Sequence, residues 1–377
     1  MSAEWPKPRG ESNICKLDCG RRAPLTAALN AVEREKQIVI ACRALIAVFA
    51  LPLASAVGAQ EVVLKLHHPL PTSSTAHQKV LAPWCEKLAR DSGGRLQCQI
   101  YPSMQLGGSV PQLYDQVKDG VVDAIWTIPG YAAGRFPRSE VFELPFMIRG
   151  AEGASRAVWD YVQQFAAEEF ADVRPLAFHV HAGGVFHMVR KPIVRGADLR
   201  GQKVRAPTRQ TNKLIAALGA TPVGMPVPQV AEALSKGVID GALLPYEVVP
   251  AIKADELTRF HSEPDPSQPV IYTSVFILAM NKARYDSLPS ELKKVIDANS
   301  GIELSARIGR IFAEAETANR QRLPGDSINV IPNETVEQWQ QASQSVVDAW
   351  VKEISARGGD GPALLESAKR LLARYAR

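Results

Sequence analysis

The chain has 377 residues, of which 46% are hydrophobic and 22% charged, with a formal net charge of +5. That composition is globular and the length suffices for two compact lobes, which excludes a disordered or collagen-like chain and a polytopic membrane protein. Three of the five surplus positive charges lie in residues 1–59 and no dense Lys/Arg run follows, so the charge gives no reason to expect a nucleic-acid partner.

Residues 44–53 are apolar, follow Arg43 and precede Ala54-Ser55-Ala56 and Val57-Gly58-Ala59, the small-residue spacing that signal peptidase accepts. The run is shorter than the roughly 20 residues of a membrane span and contains Pro52. It predicts a secretory signal cleaved near Ala59, so residues 1–59 form an N-terminal extension and signal peptide. A signal peptide totals about 15–30 residues, which leaves open whether residues 1–34 are translated. Cys15, Cys19 and Cys42 fall in this segment. The mature chain keeps Cys85 and Cys98, which in an oxidising compartment either form a disulfide or stay as two separate buried thiols.

Residues 61–66 form a β-rich run ended by His67-His68-Pro69; a helix is predicted over residues 75–90, and Gly93-Gly94 turns the chain into a strand over 95–101. Strand, helix, strand in this order implies a parallel sheet covered by helices.

Residues 111–123 then recur, without gaps, as residues 228–240. Pro111, Gln112, Gly120, Val121 and Asp123 return as Pro228, Gln229, Gly237, Val238 and Asp240. Each copy has a Pro in the first helical turn, apolar residues at helical spacing, a Gly that stops the helix, and a strand. Both follow a strand ending in Pro (Pro102, Pro207) and both precede another (Pro129, Pro245). A unit built twice predicts two related α/β lobes, and the carboxyl ends of their strands face one cleft. In the C-terminal third, Ser287-Leu288-Pro289-Ser290-Glu291 opens a helix that continues to about residue 322, long enough to brace both lobes. Further helices are predicted over 333–357 and 362–377.

The chain has no phosphate-binding Gly loop, no dinucleotide fingerprint, no nucleophile elbow and no His-Glu-x-x-His, so no cofactor is expected. His179 and His181 would share one face of a strand, but a metal site needs a further donor that the sequence does not identify. His67 ends the first strand, either as a ligand contact or as a structural histidine. Arg205 ends the strand before Pro207. There a guanidinium holds a carboxylate through parallel hydrogen bonds of about 1.5–3 kcal/mol each, unless it serves an ordinary ion pair. Trp126, Thr127 and Tyr131 follow the strand of the first copy, as Leu244 and Tyr246 follow that of the second, and these are the expected pocket walls. Asp123 and Asp240 read as structural rather than as paired catalytic carboxylates, because duplication places them in separate lobes.

From residue 60 to about 357 the chain resembles the solute-binding proteins of tripartite ATP-independent periplasmic (TRAP) transporters, the DctP-like family. The resemblance rests on Gly94, Arg95, Pro102, Leu106 and Gly107; on Glu143-Leu144-Pro145-Phe146; on the run from Asp198 to Arg205 and Pro207; on Leu218-Gly219-Ala220-Thr221-Pro222; and on Met225-Pro226 and Gly237-Val238-Ile239-Asp240-Gly241. It implies an α/β, two-lobed, type II-like periplasmic binding protein with a long C-terminal helix bracing the lobes. Lobe I would comprise residues 60–180 and 272–310, lobe II residues 181–271, and residues 311–377 helices spanning both.

The implied function is capture of a small organic acid by lobe closure and delivery to a TRAP membrane permease, in the periplasm and without catalysis. The family's carboxylate-clamping arginine falls on Arg205. Where many relatives carry a second arginine, ahead of Lys191-Pro192-Ile193, this chain has Phe186 and its neighbours. Where acid-sugar binders read Gln-Glu-Asn-Pro it has Ala242-Leu243-Leu244-Pro245. A pocket with one Arg among Leu, Val and aromatic residues suits an acid with an apolar or aromatic body. The alternatives are an exported enzyme using His67, His179 or His181, and a sensor that presents its ligand to a receptor.

Overall fold

A computed structural model of the protein describes residues 61–376; the expected signal segment, with Cys15, Cys19 and Cys42, lies outside them. Strands β1 (Val62–His67), β2 (Leu96–Tyr101), β3 (Ala124–Thr127), β4 (Val173–Val180), β5 (Val185–Met188), β6 (Lys203–Ala206), β7 (Thr221–Gly224), β8 (Gly241–Leu244), β9 (Phe260–Pro264), β10 (Val275–Asn281) and β11 (Ile328–Ile331) form two sheets. The first is ordered β2-β1-β3-β10-β4 and the second β11-β9-β5-β8-β6-β7. In each, a parallel trio (β2-β1-β3, β7-β6-β8) meets an antiparallel strand, β10 or β5. Strand β10 returns from the second sheet to pair with both β3 and β4, so the chain crosses more than once between the lobes. β3, β8 and β10 are buried at every residue, as expected of central strands covered on both faces.

The duplicated segment folds alike in both lobes. Val110–Gln112 and Val227–Gln229 make one 3₁₀ turn each, followed by the short helices Leu113–Lys118 and Val230–Ser235. Gly120 (φ 75°) and Gly237 (φ 66°) then stop the helices in the left-handed conformation. Asp123 and Asp240 each close a two-bond link to the neighbouring strand. Their Oδ2 atoms accept from the Lys65 and Lys203 N–H groups at 2.8 and 2.9 Å, and their own N–H groups donate to the carbonyls of the same two lysines. The aspartates thus set the register of β1 against β3 and of β6 against β8. That register makes His67 and Arg205, each two residues beyond the pinned lysine, structural equivalents.

Cys85, in the helix Ala82–Asp91, and Cys98 on β2 form a disulfide, which resolves the alternative left open by the sequence. The single helix expected from about residue 287 to 322 is instead broken. Ser290–Ala298 and Ile302–Arg320 flank Asn299-Ser300-Gly301, where Gly301 takes φ 90° and donates its N–H to the Leu176 carbonyl on β4 at 2.7 Å. Poor helix formers coincide there with a docking hydrogen bond to the sheet.

Ile302–Arg320 runs from the first sheet to the second lobe. There Asn319 Nδ2 donates to the carbonyls of Tyr246 (3.2 Å) and Glu247 (3.0 Å), and Arg320 pairs with Glu263. The helix Asn333–Ala356 also spans the lobes: Thr335 Oγ1 donates to Val194 O, and Trp350 Nε1 to Pro137 O. Strand β11, which the sequence reading missed, is a four-residue strand at the sheet edge that, among the described residues, pairs only with β9.

Candidate functional site

Strand β6 delivers Arg205 to the seam between the lobes, where the side chain is 1% exposed. Its Nε donates to Met225 O and its Nη1 to Leu243 O, both at 3.0 Å, so two main-chain carbonyls fix the plane of the guanidinium. Nη2 is buried and makes no hydrogen bond of good geometry, although the Tyr131 hydroxyl lies close to the guanidinium. Among the described residues Arg205 makes no ion pair, and burying a cation without a counter-ion is costly. The geometry is that of a receptor for an anion.

Arg205 lines a cavity at this seam whose wall is mostly apolar with a few polar groups, the lining typical of small-molecule sites. The first lobe contributes Trp126, Thr127 and Ile128 at the end of β3, Tyr131 just beyond, and Ser274 and Phe276 from the start of β10; Phe312 comes from the helix Ile302–Arg320. The second lobe adds Val227, Pro245, Glu247 and Val248.

Trp126 and Phe276 stack with ring centroids 4.9 Å apart, and Trp126 Nε1 donates to His179 Nε2 at 2.9 Å. That bond leaves the His179 proton on Nδ1, beside Val180 O. Burial pushes His179 down to about 3, so a neutral imidazole holds the indole in place. Tyr131 Oη accepts the Val227 N–H across the seam. Tyr272 Oη donates to Leu243 O at 3.0 Å, and its ring lies so close to Gly184 that a Cβ there would sit 1.8 Å from it.

Four side-chain polar atoms of cavity-lining residues are buried without a partner: Arg205 Nη2, Thr127 Oγ1, Ser274 Oγ and Glu247 Oε1. Buried polar groups in native proteins are almost always hydrogen-bonded. Four such atoms around one cavity mark where a guest can make hydrogen bonds.

Of the residues singled out in the sequence, Arg205, Trp126, Thr127 and Tyr131 line this cavity, and His67, Phe186, Leu244 and Tyr246 do not. His67, though equivalent to Arg205, turns its Nδ1 to Gln116 Oε1 (2.7 Å) and accepts the Leu106 N–H at Nε2, so both ring nitrogens are engaged within the first lobe. Phe186 packs edge-on against Trp339. Leu244 is a core residue whose carbonyl faces His187 Nε2. Tyr246 packs edge-on against His187 and borders a separate cavity with Glu263 and Glu316.

His181 reaches the cavity wall, but its Nε2 accepts the Ser274 N–H and its Nδ1 faces the Ala182 carbonyl. Among the described residues no group of three or more His, Cys, Asp or Glu is placed to hold a metal ion. The sequence reading missed Glu247, Ser274, Phe276 and Phe312. Period-two alternation along the return strand would have found Ser274 and Phe276 together. Phe312 comes from a distant helix and carries no local signal.

Beside the cavity the lobes are joined by charge. Arg209 Nε donates to Glu140 Oε1 (2.7 Å), its Nη1 to Glu353 Oε2 (2.8 Å), and Gln210 Nε2 to Glu140 Oε2 (2.7 Å). Glu143 accepts the Val275 N–H; burial, reinforced by the nearby Glu140, pushes its carboxyl up to about 8.

The family model of the bacterial extracellular solute-binding proteins, family 7, matches residues 66–353. The chain belongs to this family. It is 30% identical over 323 residues to the protein of Comamonas testosteroni named outer membrane transporter protein TsaT, covering 84% of this chain and 93% of that one. A TRAP solute-binding protein of Rhodoferax ferrireducens T118, crystallised with copurified benzoate, shares 51% identity at a TM-score of 0.82; the match covers 84% of this chain and 98% of the other. A marine metagenome TRAP solute-binding protein specific for aromatic acid ligands, in complex with metahydroxyphenylacetate, shares 45% identity at a TM-score of 0.82, over 84% and 100% of the two chains. The protein is accordingly a two-lobed, extracytoplasmic solute-binding protein of the TRAP type.

Proposed function

We propose that the protein captures an aromatic carboxylate in the periplasm by lobe closure, without chemically altering it, and presents it to the membrane subunits of a TRAP permease. The observation that carries this reading is the unpaired guanidinium of Arg205 buried inside an aromatic-walled cavity. Its Nη2, with the hydroxyls of Thr127 and Ser274, answers a carboxylate, and Trp126, Phe276 and Phe312 answer a flat apolar body. A sugar acid would bring many hydroxyls to walls that offer them few partners. The benzoate and metahydroxyphenylacetate bound by the two similar proteins agree with this chemistry.

Closure requires that the guest touch both lobes, since a ligand with equal affinity for open and closed forms shifts nothing. Arg205 from the second sheet and Trp126 from the first supply the two contacts. We take residues 60–180 with 272–310, and 181–271, as the closing lobes, with 311–377 spanning them and an N-terminal signal removed on export. Calorimetric titration of the mature chain tests the reading. Benzoate is expected to bind at micromolar or better, about 8 kcal/mol, and glucuronate far more weakly; tighter binding of glucuronate would overturn it.

A further inference from the structure

Glu247 sits directly behind Pro245-Tyr246 at the exit of β8 and is 4% exposed. Its main chain is fixed on both sides by the spanning helix: its N–H donates to Glu316 Oε2 at 2.7 Å, and its carbonyl accepts from Asn319 Nδ2 at 3.0 Å. The residue is therefore positioned from behind and lines the cavity, and one of its carboxyl oxygens, Oε1, is buried without a partner. The Thr75 hydroxyl and the Lys79 ammonium of the first lobe lie near the carboxyl, and they only partly offset the burial that pushes it up to about 7.

Glu247 and Arg205 line the same cavity, yet they do not pair, and each keeps an unsatisfied atom. The cavity thus offers a cation and, separately, a hydrogen-bond acceptor. A guest that only carries a carboxylate satisfies the first and leaves the second buried and unpaired.

We propose that Glu247 accepts a hydrogen bond from a hydroxyl on the ring of the bound aromatic acid, so that hydroxylated aromatic acids are selected over their unsubstituted parents. This rests on the aromatic-carboxylate reading above. Sites built to bond a ligand hydroxyl discriminate strongly against the analogue that lacks it, because the buried partner is then left alone. Leaving that buried acceptor unsatisfied supports a discrimination of about ten- to a hundredfold.

Benzoate, 3-hydroxybenzoate and 4-hydroxybenzoate titrated calorimetrically into the mature wild-type chain, Glu247→Gln and Glu247→Leu test the assignment. The expected result is that at least one hydroxybenzoate binds the wild type tenfold or more tightly than benzoate. In Glu247→Leu that ratio collapses to within about threefold, with Glu247→Gln in between. Should Glu247→Leu not fold, Glu247→Met, which has similar length and no comparable acceptor, decides by the same ratio. Equal affinities in the wild type, or a ratio that survives in the variants, would overturn the role of Glu247 and leave the aromatic-acid reading standing. Failure of all three ligands to bind would overturn both.

Discussion

Replacing Arg205 by Met keeps most of the side-chain volume and removes the charge. In the ligand-free protein two effects oppose each other: the Met225 carbonyl loses a donor at about 1–3 kcal/mol and the Leu243 carbonyl, which keeps the Tyr272 hydroxyl, loses one at less, and a buried cation without a counter-ion disappears, which relieves several kcal/mol of desolvation. The folding stability of the empty variant is therefore expected to change little. Binding has no such compensation. A carboxylate held by one or two charged hydrogen bonds loses about 2–5 kcal/mol, a weakening of roughly 30- to 5,000-fold. At a benzoate concentration 100 times the wild-type Kd, ligand stabilises the wild type by about 2.7 kcal/mol; a Kd 100-fold weaker leaves about 0.4 kcal/mol. Denaturant unfolding with and without benzoate reads both numbers at once. An Arg205→Met variant that retains the ligand-dependent shift would refute the assignment of Arg205 as the anion receptor.

Other expectations follow from the same geometry. Arg209→Met strands Glu140, whose side chain is 3% exposed, and is expected to cost about 3 kcal/mol. The double variant Arg209→Met/Glu140→Leu recovers much of that in urea unfolding, and equal losses in the single and double variants would contradict the stranding of Glu140. Reduction of Cys85–Cys98, which closes a short loop, is expected to lower stability by about 3 kcal/mol; an unchanged unfolding midpoint in reductant argues against it.

Stability should also depend on pH in two opposed ways. Glu143 and Glu316, pushed up to about 8 by burial, and Glu169 and Glu247, to about 7, keep protons in the folded chain that the unfolded chain releases above about 4.5. Each therefore removes stability as pH rises to its folded value. His68, His179 and His187, lowered by burial to about 3, and His181, to about 4, refuse protons that the unfolded chain takes up below 6.5, so each removes stability as pH falls. Tm is expected to be level between pH ~4.5 and 6.5 and to fall on either side; a steady rise from pH 6.5 to 8.5 would contradict the burial of these carboxyls.

The sequence repeat carried more of the architecture than any single motif, because a helix, a stopping glycine and a pinning aspartate are local features and were present twice. Arg205, Trp126 and Tyr131 were legible for the same reason: they sit at or just past strand ends, where duplicated lobes face each other. His67 shows the limit of that logic. It holds the position equivalent to Arg205, but a shorter side chain with Gln116 in reach satisfies itself locally. Glu247 was passed over for its neighbour Tyr246, because the turn after Pro245 decides which of the two faces the seam, and a turn's direction is not written in residue types. Phe312 was out of reach of any local pattern. The break at Gly301 and the edge strand β11 escaped notice because each is set by docking, onto β4 and β9, rather than by propensity.

A crystal structure of the mature chain grown with benzoate tests the central claim most directly. The carboxylate is predicted to lie within about 3 Å of Arg205 Nη2, with the ring against Trp126 and Phe276. A benzoate seated elsewhere, or a guanidinium that stays unpaired with the ligand in the cavity, would contradict it.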